Sequence, residues 1–285
     1  MLVELAVGDA YGAGFEYATE MIEYFNNLSS YVNHPRHYGI LPGMYTDDTQ
    51  MTIAIAELIV SGDDWTPLNI ATKFVECFKR DEREGYAGGF YRFLQEVQTG
   101  EEFLAKIRPD SDKSGAAMRA APVGVFADIK EVLEKTRIQA AVTHNTPDGI
   151  AAAQAAALMA HYFLYDIGAK SDLGAWLENQ LPDTHKWNTP YVGKVKSKGW
   201  MSVRAAITAV MRNSNLGSLL QDCINFRGDV DTVATIALAA AAHSREYRQN
   251  LPHHLIQTLE NNTYGRAYLQ KLDTQLMAIM TDEAS

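Results

Sequence analysis

Cysteine, long apolar runs, basic charge and strand-like alternation are all scarce in this chain, and each scarcity excludes something. With only Cys77 and Cys223 in 285 residues, a disulfide framework is excluded, and two distant thiols in helical patterns fit a reducing, cytoplasmic compartment. No apolar run reaches the roughly 20 residues of a bilayer span. The start at Met1-Leu2-Val3-Glu4-Leu5 has neither a positive flank nor a cleavage site, so neither a membrane partner nor a signal peptide is expected. Lys and Arg number 25 against 35 Asp and Glu, a net charge of −10, which argues against a nucleic-acid partner. No Pro/Ser-rich linker or low-complexity tract divides the sequence, so residues 1–285 read as a single domain. Period-2 alternation of convincing length is missing, and with it any support for a sheet. The expected fold class is all-α, and 47 % apolar residues are ample for its core.

What is present is helical periodicity. Residues 2–13 predict a first helix whose Gly8-Asp9-Ala10-Tyr11-Gly12 permits a close neighbour, with Glu16 as a carboxylate just beyond its exit. Thr66-Pro67 is a helix start, a hydroxyl N-cap followed by Pro at N1, and Ala71, Phe74, Val75 and Phe78 form its inward stripe. Further helices are predicted over 88–97 and 101–107, and from the Asp128 and Glu131 capping box to about Ala141. Others are predicted over 150–165, 173–181, 202–213, 216–226 and 255–261. At the C-terminal end Tyr268, Leu269, Leu272, Leu276 and Ile279 recur at three- and four-residue spacing. From about Tyr24 to Pro42 there is no clear period, which predicts a long lid or binding loop.

Two of these helices open in the same unusual way. Gly228-Asp229-Val230-Asp231-Thr232 runs into an Ala-rich apolar helix, and Thr46-Asp47-Asp48-Thr49 runs into another from Met51 to Val60. One such Asp alone is most simply an N-cap. Two clusters at the starts of buried helices are different, because a helix N-terminus offsets only about half a charge and ionised Asp in an apolar interior needs a cation. If the two starts meet, they assemble four carboxylates and at least two Thr hydroxyls without His or Cys. That all-oxygen set suits Mg²⁺ or Mn²⁺, and its charge suits a two-metal centre.

Other segments offer ligand contacts. Ser111 to Pro122 places Ser114, Gly115 and Ala116 before a helix start, where free N–H groups hold phosphate oxygens. His144, among hydroxyls and an amide, is expected outside the helices beside a ligand. Asp81 and Tyr86, in the charged turn that ends the helix begun at Thr66-Pro67, read most simply as solvated and are also candidates to face one. Lys194, Lys196 and Lys198 alternate in a loop that reads as solvated and attractive to phosphate. Asp9 falls outside the acidic clusters, and its replacement by Asn is expected to be mild.

With these motifs in order along nearly the whole chain, the sequence resembles the ADP-ribosylglycohydrolase family. The residues that carry the resemblance are Gly8-Asp9-Ala10-Tyr11-Gly12-Ala13-Gly14-Phe15-Glu16, Thr46-Asp47-Asp48-Thr49, Gly115-Ala116-Ala117-Met118-Arg119, Thr143-His144 and Gly228-Asp229-Val230-Asp231-Thr232. The resemblance implies an orthogonal helical bundle holding two Mg²⁺, or Mn²⁺ in their place, that removes ADP-ribose from modified side chains or small acceptors. By position it implies that Thr46, Asp47 and Asp48 bind one metal, Asp229 and Thr232 the other, and that Asp231 bridges. Glu16 resembles the family's mobile glutamate; Glu16, Asp47 and Asp231 are the candidate catalytic carboxylates. Ser114, Gly115 and Ala116 would line the diphosphate, with His144 and Tyr86 beside the same ligand. Arg227 stands where the family usually has Gly and Ser114 where it usually has Asn, departures that bear on substrate geometry more than on the metals. Departure of the acceptor from ribose C1 builds an oxocarbenium-like centre that water must attack.

Two other readings use the same residues. A two-metal phosphohydrolase acting on a nucleotide-like substrate would need the same oxygen ligands, although a His-rich set is missing. A non-catalytic ADP-ribose-binding relative would keep the fold without turnover, against which stands the retention of Glu16 and all six candidate ligands.

Overall fold

Helices begin where the sequence supplies a cap. Thr66 accepts from the N–H of Asn69 with Pro67 next, Thr146 accepts from Gly149 with Pro147 next, and Asp128 accepts from Lys130. Each satisfies a donor that the first helical turn leaves free. The structure, a computed structural model, describes residues 1–282. Among these it has α1 (Leu2–Ala13), α2 (Thr19–Phe25), α3 (Asp47–Ser61), α4 (Pro67–Arg80), α5 (Gly88–Glu96), α6 (Gly100–Lys106) and α7 (Ile129–His144). The chain continues with α8 (Pro147–Leu164), α9 (Leu173–Gln180), α10 (Gly199–Arg212), α11 (Leu216–Asn225), α12 (Val230–Ala241), α13 (His253–Thr258) and α14 (Arg266–Asp282). Pairing between extended segments is limited, among the described residues, to isolated bridges such as Val195 with Gly228. The fold is all-α.

Helix α12 is buried along its whole length, and α1 and α8 nearly so. That is the expected fate of helices without a polar face. Helix α1 lies against α12, and α12 also packs on α8, α10 and α11. The approach of α1 to α12 is set by glycine. A Cβ on Gly12 would stand 2.4 Å from the Asp231 Cα, and one on Gly8 would stand 2.8 Å from the Ala234 carbonyl oxygen. Backbone therefore meets backbone, and the acidic start of α12 is held beside α1. The second acidic start, that of α3, lies against α1 and α12 as well.

Several expectations shift in detail. Helix α2, not predicted, takes in Tyr24 and Phe25 at the start of the segment read as a loop, and α13 ends at Thr258 instead of Asn261. Helix α7 runs three residues past Ala141, so His144 is its last residue and is buried, not in a loop. Cys77 and Cys223 are free and buried, and burial pushes both thiols up. No helix of the described residues is long and apolar enough to cross a membrane.

Candidate active site

The starts of α3 and α12 open into one cavity of about 550 Å³, a size that suits a nucleotide-like ligand. Its walls bring together Glu16, Asp47, Asp48, Tyr86, Ser114, Gly115, His144, Asp229, Asp231 and Thr232, all singled out from the sequence. Thr46 and Ala116 are exceptions and stand behind the wall. The Thr46 hydroxyl is the N-cap of α3 and donates to Asp9 Oδ1 at 2.7 Å, so it is turned inward. Ala116 is fully buried, and its carbonyl accepts from Gln139. Asp81 also turns away from the cavity, pairing with Arg83.

The floor is acidic. Glu16, Asp229 and Asp231 present oxygens within 4.8 Å of one another. Thr232 donates to Asp229 Oδ1 at 3.2 Å within the first turn of α12. Ser202, from α10, donates to Asp229 Oδ2 at 3.0 Å. Even so, burial pushes Asp229 up to about 6, with the Glu16 charge adding to it. Asp47, Asp48 and Asp231 are driven well above the carboxylate range, first by burial and then by their acidic neighbours. Asp48 Oδ2 and Asp231 Oδ1 are buried and have no hydrogen-bond partner in the protein. Buried polar atoms in a folded protein are rarely left without a partner.

Asp9 carries a role that the sequence reading placed outside the site. Buried in α1, it accepts the backbone N–H groups of Thr46 and Thr49, each at 2.9 Å, and both their hydroxyls, at 2.7 and 2.6 Å. Burial raises it while these four donors pull it back. One carboxylate thus fixes the first turn of α3 and aims Asp47 and Asp48 at the cavity. A carboxylate in the middle of a helix whose other charge, Glu4, lies in the first turn is the signal available for it.

Residues 1–284 match the profile of ADP-ribosylglycohydrolase. The chain belongs to the ADP-ribosylglycohydrolase family. It is similar to the ADP-ribosylarginine hydrolase Tri1 of Pseudomonas putida (strain GB-1), at 23 % identity over 252 residues that cover 83 % of this chain and 67 % of that one. It is also similar to the ADP-ribosyl-[dinitrogen reductase] glycohydrolase of Rhodospirillum rubrum, at 28 % identity over 257 residues, 84 % of this chain and 83 % of that one. A solved structure described as an ADP-ribosylglycohydrolase-related protein complex superposes with a TM-score of 0.72 at 20 % identity, covering 98 % of this chain and 96 % of that one. That likeness concerns the fold.

In this ADP-ribosylglycohydrolase relative, the wall opposite the carboxylates is built on a buried guanidinium. Arg119 donates to the side-chain and backbone oxygens of Gln139 and to Thr143 Oγ1, and lies 4.4 Å from the Phe74 ring. Burial lowers it to about 9, so it remains a cation at neutral pH. Thr143 Oγ1 lies 2.7 Å from His144 Nδ1. The guanidinium can only donate, so the Thr143 hydroxyl accepts from Arg119 and its own proton is available to Nδ1; with that proton given to Nδ1, the neutral ring carries its own on Nε2. Burial, then the Arg119 charge, lowers His144 to about 3. Gly115 leaves room beside that ring, since a Cβ there would stand 3.0 Å from His144 Cε1. Tyr86 donates to Gln50 Oε1 at 2.6 Å and so offers the cavity its ring, next to Phe90. Arg36 and Lys194 lie 4.8 and 5.5 Å from the ring of Tyr17.

Proposed function

We propose that the protein hydrolyses the glycosidic bond between ADP-ribose and a modified acceptor, a protein side chain such as arginine or a small molecule, and releases ADP-ribose with the help of two Mg²⁺ or Mn²⁺. The observation that carries this reading is the pair of buried, partnerless oxygens of Asp48 and Asp231 on the floor of a nucleotide-sized cavity. The residues fit hard divalent cations, being all oxygen donors. Asp47, Asp48, Asp229, Asp231 and Thr232 would hold them, with Glu16 at the edge of the set and Thr46 acting through the cap of α3. Cations bound there would supply the positive charge that fixes ribose hydroxyls and acidifies water.

The chain's own residues account for the remainder. The carboxylates stabilise positive charge developing at ribose C1, and Glu16, with its side chain 20 % exposed, keeps a path to solvent. The His144 Nε2–H is a donor suited to a phosphate or ribose oxygen. Arg108 and Lys113 on the wall supply charge for a diphosphate. The Tyr86 and Phe90 rings suit a planar base.

The test is chromatographic detection of free ADP-ribose from defined mono-ADP-ribosylated substrates, with Mg²⁺ and after chelation. Release with Mg²⁺ and its loss on chelation is the expected result. Inorganic phosphate released from ADP-ribose, with the glycosidic substrates untouched, would favour the phosphohydrolase reading instead.

A further inference from the structure

His34 lies in the long loop between α2 and α3, outside every motif used so far. Its side chain is 1 % exposed, and its Nε2 is 3.1 Å from Glu16 Oε2. Its Nδ1 accepts two backbone N–H groups, those of Arg36 and His37, each at 3.1 Å. Pro35, which has no N–H, intervenes, so the first free amides of the turn both reach back to the ring. Backbone amides can only donate. Nδ1 must therefore present its lone pair, and the ring proton is confined to Nε2, where it points at the Glu16 carboxylate.

Glu16 needs such a partner. Its oxygens share a space of 4.8 Å with those of Asp229 and Asp231, and its side chain is 20 % exposed, which leaves it a path away from two like charges. We propose that His34 is a positioning residue for Glu16: two backbone amides lock its imidazole as the Nε2–H tautomer, and that N–H holds the Glu16 carboxylate over the acidic floor. The loop is itself braced. The His34 ring meets His37 edge-on at 4.8 Å, and His37 pairs with Glu84 at 3.3 Å. On the other side of Glu16, the N–H of Tyr17 donates to the Gly228 carbonyl at 2.9 Å. Glu16 is thus gripped from the loop and from the start of α12 together.

The two nitrogens can be tested apart, because Asn carries an acceptor near the place of Nδ1 and Gln carries a donor near the place of Nε2. The activity arm rests on the proposed glycosidic hydrolysis; the spectroscopic arm does not. In long-range ¹H–¹⁵N spectra of the whole protein, His34 is expected to show an unprotonated Nδ1 and a protonated Nε2. E16Q should shift the Nε2 proton and leave Nδ1 alone. A protonated Nδ1, or an Nε2 proton indifferent to E16Q, overturns the proposal whatever the activity. In ADP-ribose release, H34N should lower kcat by roughly 10- to 100-fold, as misplacement of a working group does, with KM little changed. H34Q should recover most of that loss. H34N placed in the E16Q background should add nothing, and additive losses overturn the proposal. If the parent releases no ADP-ribose from any substrate, the hydrolytic reading fails while the spectra still decide the role of His34.

Discussion

The Asp9 carboxylate accepts both the backbone N–H and the hydroxyl of Thr46, at 2.9 and 2.7 Å. A single side chain of α1 therefore holds the cap of α3, and through it the two carboxylates that follow. The acidic floor depends on a residue that does not line it.

Asp9→Asn removes the charge and puts an amide NH2 in place of one oxygen: at Oδ2 it would face two backbone N–H groups, and at Oδ1 it requires the Thr46 hydroxyl to turn round and accept. The variant should lose roughly 3 kcal/mol of stability, in the range for an unsatisfied buried group that had served a charged acceptor, and bind Mg²⁺ more weakly. Urea unfolding measures the first and calorimetry the second. An unchanged midpoint would remove Asp9 from this role.

Stability of the chelated protein should fall as pH rises through roughly 4 to 6. The sign follows from the carboxylates. Asp229 is raised to about 6 and Asp47, Asp48 and Asp231 are also raised, so in that window the native state binds more protons than the unfolded one and stability drops with pH. Saturating Mg²⁺ should flatten the slope, and at a hundredfold excess over Kd it should add about 2.7 kcal/mol near neutral pH. Calorimetric melting across pH, with and without Mg²⁺, reads both; coincident curves would reject the cation site.

Asp231→Asn should separate stability from function. Removing one of the crowded acidic groups, whose charged form burial and its neighbours disfavour, should raise the melting temperature of the chelated protein at pH 7, a gain typical of positions kept for activity. The same change should weaken Mg²⁺ binding and abolish ADP-ribose release. A variant as active as the parent would exclude Asp231 from the machinery.

His144→Ala should weaken ADP-ribose binding by about 0.5–1.5 kcal/mol, the worth of one neutral hydrogen bond, and leave Mg²⁺ affinity nearly intact. Arg119→Gln should lower ADP-ribose affinity in the same direction, because the proton on Nε2 is then no longer enforced through Thr143. Calorimetry with each ligand distinguishes the two affinities. A collapse of Mg²⁺ binding in His144→Ala would tie this wall to the carboxylates.

The two acidic helix starts are legible in the sequence because their signal is local: adjacent carboxylates before an apolar run have few structural explanations. The helices are legible for the same reason, and Gly8 and Gly12 announce a close neighbour without naming it. What stays hidden depends on tertiary contact. Asp9 looks like a stray charge until α3 is seen to start against α1. Thr46 is legible as a neighbour of the acidic pair, but the bond from its hydroxyl to Asp9 is not. His144 is displaced by a boundary of three residues, and His34 sits in a loop without periodicity, where no spacing argument reaches it.

The contact of Gly8 and Gly12 with α12 bears on how this enzyme can diversify. Where backbone touches backbone there is no side chain to swap and no rotamer to adjust, so almost any substitution at position 12 would push the Asp231 Cα, 2.4 Å from a Cβ there, out of place. The floor of the site is in that sense frozen. Loop residues such as Arg36 and Ser197 line the cavity as well, and their side chains can be exchanged without moving α1 or α12. Selection for a new acceptor therefore has room to act on these loops while the bond-breaking floor is passed on unaltered.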